Sequence, residues 1–273
     1  MTRLLLVVLA GALAQPAPQL YRLTMSVADS RGRAVTGLAP SDVVVTAGDT
    51  DLTPSALDAD PRPLSIVVIA DGAETTEALN VRAALAGVLR RLREGGADVR
   101  IGLMIGEQGA QAPVLENAQA AAADHDRRVS RFFRAPDTAP PADTVYSAAV
   151  ALAKEEGRRK AILIMSVNRR DPSTQSFANV VTALHGADVS LAAVETGDGR
   201  DQSLWMIQSA AGGRFERIGD VAAFSSVAPR LAGALMSAYQ VTFAASATGT
   251  GRVKVDVKGR GRLTIIAPSW ALR

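Results

Sequence analysis

Cysteine is absent from this 273-residue chain, histidine occurs twice, and aromatic residues make up only 4%. Without cysteine there can be no disulfide, thiol nucleophile, lipidated cysteine anchor or cysteine-based zinc site. His125 and His185 each lack a second histidine nearby in sequence, so neither marks a metal cluster. The shortage of aromatics means that any core is built from small aliphatic side chains. Neither sign of charge dominates: 30 Lys and Arg face 27 Asp and Glu, for a formal charge of +3, and the arginines are scattered among acids. That balance favours solubility over nucleic-acid binding. Enzyme signatures are missing too: there is no G-x-S-x-G elbow, no phosphate-binding G-x-x-x-x-G-K-[ST] loop, no G-x-G-x-x-G after a strand and no H-E-x-x-H.

What the chain does have is apolar content, 48%, enough for a full core. Residues 1–14, MTRLLLVVLAGALA, combine a basic start, an apolar centre and a small-x-small ending. This is the pattern of a secretory signal peptide cleaved before Gln15, too short to span a bilayer. It predicts an exported protein, periplasmic or extracellular, with no membrane insertion after cleavage.

Residues 20–60 read as short strands. Tyr21, Leu23, Met25 and Val27 alternate on one face, Val43 to Thr46 is a second β-branched run, and GDTD follows as a hairpin-type turn. The segment is too small to bury a core alone. Its expected partner is residues 238–270, where YQVTFAA, RVKVDV and RLTII alternate in the same way between Gly-rich turns. The two ends are expected to form one small β-sandwich-like domain with residues 62–236 inserted into it.

The inserted region alternates strand and helix. Buried strands are expected at Leu64 to Ala70, Val99 to Ile105, Ala161 to Val167 and Val189 to Val194, with a short edge strand at Pro113 to Leu115 and a short strand at RFERI. Helices are expected at Thr75 to Glu94, Thr144 to Glu155, Asn179 to Leu184, Leu204 to Ala211 and Val221 to Met236. The order specifies an α/β fold with a doubly wound, mostly parallel sheet. Asp71 then falls at the carboxyl end of a central strand, where such sheets bind their ligands.

Three local patterns, IVVIADGAET, ADTVYSAAVALA and LWMIQSAAGGRFERI, resemble the von Willebrand factor A-type (VWA) domain. They match its strand followed by D-x-S-x-S, its threonine opening a helix, and its aliphatic helix closing on Gly-Gly before an aromatic strand. The flanks DSRGRAVTGLAPSDVVVTAGD and AYQVTF are similar to those of bacterial relatives of that family. The resemblance implies a Rossmann-like layer carrying a metal-ion-dependent adhesion site, in which hydroxyls and carboxylates surround a magnesium ion. Carried over by position, the first aspartate is Asp71, the serines are Ala73 and Thr75, the threonine is Thr144, and the second aspartate falls at Val167. Two of the five positions have no side-chain oxygen.

The site is therefore expected to be degenerate, with no metal and no cofactor. Glu74, Asp143, Asn168 and Asp171 are the neighbours that could rebuild it, and the plain structural use of Asp71, Thr75 and Thr144 is to cap helices. Arg169 and Arg170 stand where the family has an acidic loop and suit an anionic partner group. The expected function is an exported protein-interaction module, not an enzyme, which docks a protein through Asp71, Thr75, Thr144, Asn168, Arg169 and Arg170. The alternatives are a magnesium-dependent adhesion module with a rebuilt site and an envelope hydrolase using a carboxylate on the same edge. Elsewhere, His125 is expected on an exposed charged helix, Trp205 as a packing residue, and Arg158-Arg159-Lys160 as a solvated face.

Overall fold

The computed structural model describes residues 19–71, 75–96, 98–105, 112–131, 141–167, 173–196, 202–245 and 252–270, and gives only the backbone for Asp71, Thr75 and Thr76. The proposed signal segment, residues 1–14, lies outside the described residues. At the centre are β5 (Leu64–Asp71), β6 (Arg100–Ile105), β8 (Arg159–Val167), β9 (Val189–Thr196) and β10 (Arg214–Ile218). With β7 (Glu116–Asn117) they form a six-stranded sheet in the order β10-β9-β8-β5-β6-β7, parallel except for β7. Every residue of β9 is buried, as expected for a strand covered on both faces.

Helices α1 (Thr75–Arg93), α2 (Ala122–Ser130) and α6 (Phe224–Leu235) cover one face, packing on Ile66, Val68, Leu163 and Val194. On the other face α3 (Pro141–Ala153), α4 (Phe177–Ala187) and α5 (Ser203–Ala211) pack on Val67, Ile69, Ile164 and Ala193. The period-2 alternation within an unbroken apolar run thus feeds two separate cores. No helix among the described residues is long and apolar enough to cross a membrane.

The edge strand differs from expectation. Pro113 to Leu115 leads up to it, and Glu116 and Asn117 pair antiparallel with Ile101 and Arg100. Proline brings no backbone donor; Pro113 instead packs on Gly102, where an added Cβ would stand 3.1 Å from the proline Cβ. Asn117 Oδ1 then accepts from Gln119 and Ala120 amides, both at 3.0 Å, and turns the chain into α2.

The two ends of the chain pair as well. β1 (Gln19–Ala28) runs antiparallel to β11 (Tyr239–Ala245), with Gln19 opposite Ala245 and Met25 opposite Tyr239. Beyond that, Ser26 to Ala28 pairs with β13 (Thr264–Ile266), and β4 (Ala56–Ala59) flanks β11. A second sheet orders β12 (Val253–Val257), β2 (Val43–Ala47) and β3 (Thr50–Leu52). Tyr21, Leu23, Met25, Val45, Phe243 and Val255 fill the space between, with the Tyr21 and Phe243 rings stacked at 5.9 Å.

Arg159, expected on a solvated face, is 8% exposed at the foot of β8. Its Nε donates to Arg62 O at 2.9 Å, Nη1 to Leu235 O at 3.0 Å and Nη2 to Met236 O at 2.8 Å. The guanidinium therefore holds both the segment leading into β5 and the carboxyl end of α6, whose last carbonyls have no partner within the helix. Arg158 is similarly engaged, donating to Ser65 Oγ at 2.7 Å and Leu64 O at 3.0 Å. Replacing Arg159 with Met should cost about 3–5 kcal/mol, because buried carbonyls lose a charged donor; urea unfolding of the two proteins measures it.

His125 also departs from expectation: it is fully buried on α2, with no hydrogen bond to either ring nitrogen. Burial pushes its pKa down; Glu116, whose Oε2 lies 3.8 Å from Nε2, and Asp124 oppose this, while Arg93 and Arg128 reinforce it. Burial also lowers His185, whose ring lies 3.8 Å from that of Trp270. A depressed histidine pKa means that the unfolded chain binds more protons below the ordinary value of 6.5. Its contribution is therefore complete above that pH and is lost as pH falls through it. Urea midpoints recorded from neutral to mildly acidic pH should drop for the wild type and drop less for His125→Leu.

Candidate functional site

The apolar strands end on polar residues at one level of the sheet. Register places Asp71 opposite Ser166, Ser166 opposite Glu195, and Glu195 opposite Arg217. Ser166 and Glu195 continue the pleat of Ile164 and Ala193, so they belong to the face covered by α3, α4 and α5. Ser166 is fully buried and Glu195 is 2% exposed. Glu195 Oε2 accepts from Arg217 Nη2 at 2.8 Å and from Nε at 3.3 Å. The arginine also lies over the Phe215 ring, 5.5 Å from its centre.

Thr144 lies within the first described turn of α3, not at its cap, and is 1% exposed. It supports the edge from beneath the surface. The amino-terminal donors of α3 are met from another loop: Ser173 Oγ accepts from the amides of Ala142 at 3.0 Å and Asp143 at 3.3 Å. Asp143 returns the bond. Its Oδ1 accepts from the amides of Thr174 at 3.0 Å and Gln175 at 2.6 Å, and its Oδ2 from Thr174 Oγ1 at 3.0 Å. This reciprocal clasp is a capping box made between two segments distant in sequence.

Asp71 closes β5, and Thr75 is the first residue of α1, already inside the helix instead of flanking it. Asn168, Arg169 and Arg170 lie outside the described residues, as do Ala73, Glu74 and Asp171. Val167, at the position of the family's second aspartate, ends β8 at 5% exposure in the apolar cluster beneath α1 and α6. A carboxylate there would be buried among aliphatic side chains. Among the described residues no three His, Asp or Glu side chains gather as a metal would need.

Sequence reasoning missed Glu195 and Arg217 because it ended β9 at Val194. Carrying that strand two residues further, to Thr196, exposes an acid facing a base on the next parallel strand. The Asp143 and Ser173 clasp had a weaker signal, an acid in the turn before Thr144 and a serine-rich stretch after β8.

No family model matches the sequence, and no curated protein matches it. Solved structures do. Proximal thread matrix protein 1 from the mussel byssus aligns at 9% identity with a TM-score of 0.54, covering 70% of this chain and 51% of that one. The same mussel protein with a zinc-occupied metal-ion-dependent adhesion motif gives 12% identity and a TM-score of 0.53, covering 68% and 50%. The VWA domain of SpRpn10 aligns at 13% identity and a TM-score of 0.41, over 60% of this chain and 93% of that one. The chain spans about half the length of the mussel protein.

Replacing Asp143 with Ala should lower stability by about 1–3 kcal/mol and speed hydrogen exchange at the Thr174 and Gln175 amides, leaving β5 amides unchanged; exchange measured by mass spectrometry reads both. With the sheet order, the two helical layers and the likeness to the mussel protein together, the fold is that of a von Willebrand factor A-type domain.

Proposed function

We propose that this chain is an exported protein-interaction module, not an enzyme, and that it engages a protein partner at the carboxyl edge of its sheet without a metal ion. The residues assigned to docking are Asp71, at the end of β5, Thr75, Thr144, Asn168, Arg169 and Arg170. Export rests on the signal-like pattern of residues 1–14. The neighbouring matrix protein from the mussel byssus is in keeping with it.

The observation that carries the reading is the use of the carboxylates. Asp143 is taken up by Thr174 and Gln175, and Glu195 is held by Arg217, so these two acids at the edge brace protein. Magnesium asks for about six hard oxygens. With Ala73 and Val167 at two of the family's ligand positions, the residues present do not fit that demand. What they fit is a platform braced by its own side chains. In sequence, Arg169-Arg170 brings positive charge to the place where the family carries an acid, which suits an acidic group on the partner.

Calorimetric titration of the mature protein with magnesium and manganese, repeated on Asp71→Ala, should give no saturable heat in either. Saturable binding lost in the variant would show a rebuilt metal site and overturn the metal-free reading. Partner capture should survive chelator and fall about tenfold in Arg169→Glu/Arg170→Glu; capture unchanged in that variant would remove the proposed surface.

A further inference from the structure

A cleft of about 470 Å³ opens between the end of α5 and β12, sharing no residue with the carboxyl edge. That volume is within the range of clefts that hold ligands, about 300–1,000 Å³. Leu263 and Ile265 line it with apolar surface, and Arg214, Arg252 and Lys254 with positive charge, against the single carboxylate of Asp256.

One end is closed by backbone. Residues 267–269 are stitched to both walls: Gly213 N donates to Ala267 O at 2.6 Å, Ser269 N to Ala211 O at 3.0 Å, and Val253 N to Ser269 O at 2.9 Å. Gly212 and Gly213 make the approach possible, since a Cβ on either would stand 2.2 Å from Ser269 N or 2.0 Å from Leu191 O. The stitch also occupies carbonyls at the end of α5, so the negative end of that helix is covered.

Beyond the stitch the Val257 amide is met by its neighbour's side chain, Asp256 Oδ1, at 2.8 Å, a contact an incoming strand displaces, and Val255 lies open between the two closed positions. β12 has one sheet neighbour, β2. Lys258 N donates to Asp42 O and Gly48 N to Arg252 O, so even-numbered residues of β12 bond to β2. Antiparallel pairing alternates hydrogen-bonded and non-bonded pairs. The N–H and C=O of Val255 therefore face the cleft, and among the described residues no strand meets them. Side chains alternate too: Val253, Val255 and Val257 are buried, while Lys254 and Asp256 are exposed.

A strand laid along this edge would have one face turned to Leu263 and Ile265 and the other beside Arg252 and Lys254. Neither of these two cations has an ion pair among the described residues, whereas Arg214 is held by Glu216 at 3.0 Å. We infer that β12 receives an extended segment of a protein partner as an added strand, and that this segment alternates apolar and acidic residues. Its acids stand beside Arg252 and Lys254 and avoid Asp256. Main-chain bonds supply the docking and the alternating side chains the selection.

The test uses the full chain and a short fluorescein-labelled peptide of alternating valine and glutamate, read by fluorescence anisotropy. Saturable binding is expected, weakened about tenfold by Arg252→Glu/Lys254→Glu and weakened by rising salt. The matching valine–lysine peptide should not bind. A valine–glutamate peptide N-methylated along one edge keeps its charge but cannot pair, so it too should fail on the wild-type protein. Absence of binding by the unmethylated peptide, indifference to the charge reversal, or equal binding of the methylated peptide would each overturn the inference. Arg169→Glu/Arg170→Glu should leave this binding unchanged, which separates it from the carboxyl-edge surface.

Discussion

One buried guanidinium holds the layout together. The α/β layer is an excursion of the chain between two β segments, and its beginning and end must meet at one place for those segments to pair. Arg159 sits at that place, bonded to Arg62 on the incoming side and to Leu235 and Met236 on the outgoing side. The Asp60 amide donates to Ala238 O at 2.8 Å beside it, and the Arg159 amide to Pro63 O at 2.9 Å. Closing a long loop costs only slightly more than closing a short one. Once the neck is fixed, the length of the excursion matters little, and β1 can find β11 from the far end of the sequence.

A carboxylate in this fold has two alternative uses at the carboxyl edge. It can face an ion that completes its shell with a partner's oxygen, or it can brace the protein. Here Asp143 and Glu195 take the second use, each engaged by donors of a neighbouring segment. A carboxylate oxygen held by backbone amides, or by two donors of one arginine as Glu195 Oε2 is, makes a weaker metal ligand, since those donors compete for its lone pairs. The gain is rigidity: residues 173–175, after β8, are clasped to the start of α3.

The central strands were legible because an unbroken aliphatic run between turn residues has few other uses, and the flanking strands because strict alternation at both ends demanded a shared core. The pairing of β1 with β11 follows from that demand, since neither end could bury its apolar face alone. What escaped the sequence were groups whose partners lie far along the chain. Arg159 sits in an Arg-Arg-Lys run that looks like a solvated face, and only the carbonyls of α6 make it a buried clamp. His125 looks exposed among charges because its burial comes from packing distant in sequence, of α2 on α1 with Glu116 of β7 3.8 Å away. The place of Asp71 at the end of β5 was legible from the apolar run before it, whereas Glu195 needed the register of three strands to be seen.

The charges left free point in one direction. At the carboxyl edge Asp143 and Glu195 are engaged, and in sequence Arg169-Arg170 follow β8; at the β12 cleft Arg252 and Lys254 stand against one carboxylate. The chain as a whole is close to neutral, with 30 basic and 27 acidic residues, so the excess at these two places comes from spending acids internally, not from a basic composition. Local excess of this kind steers a partner over about a Debye length, roughly 8 Å at physiological salt, and discriminates between partners more than it adds affinity. An acidic partner able to reach both places would gain from tethering as well, because the second contact becomes intramolecular once the first has formed.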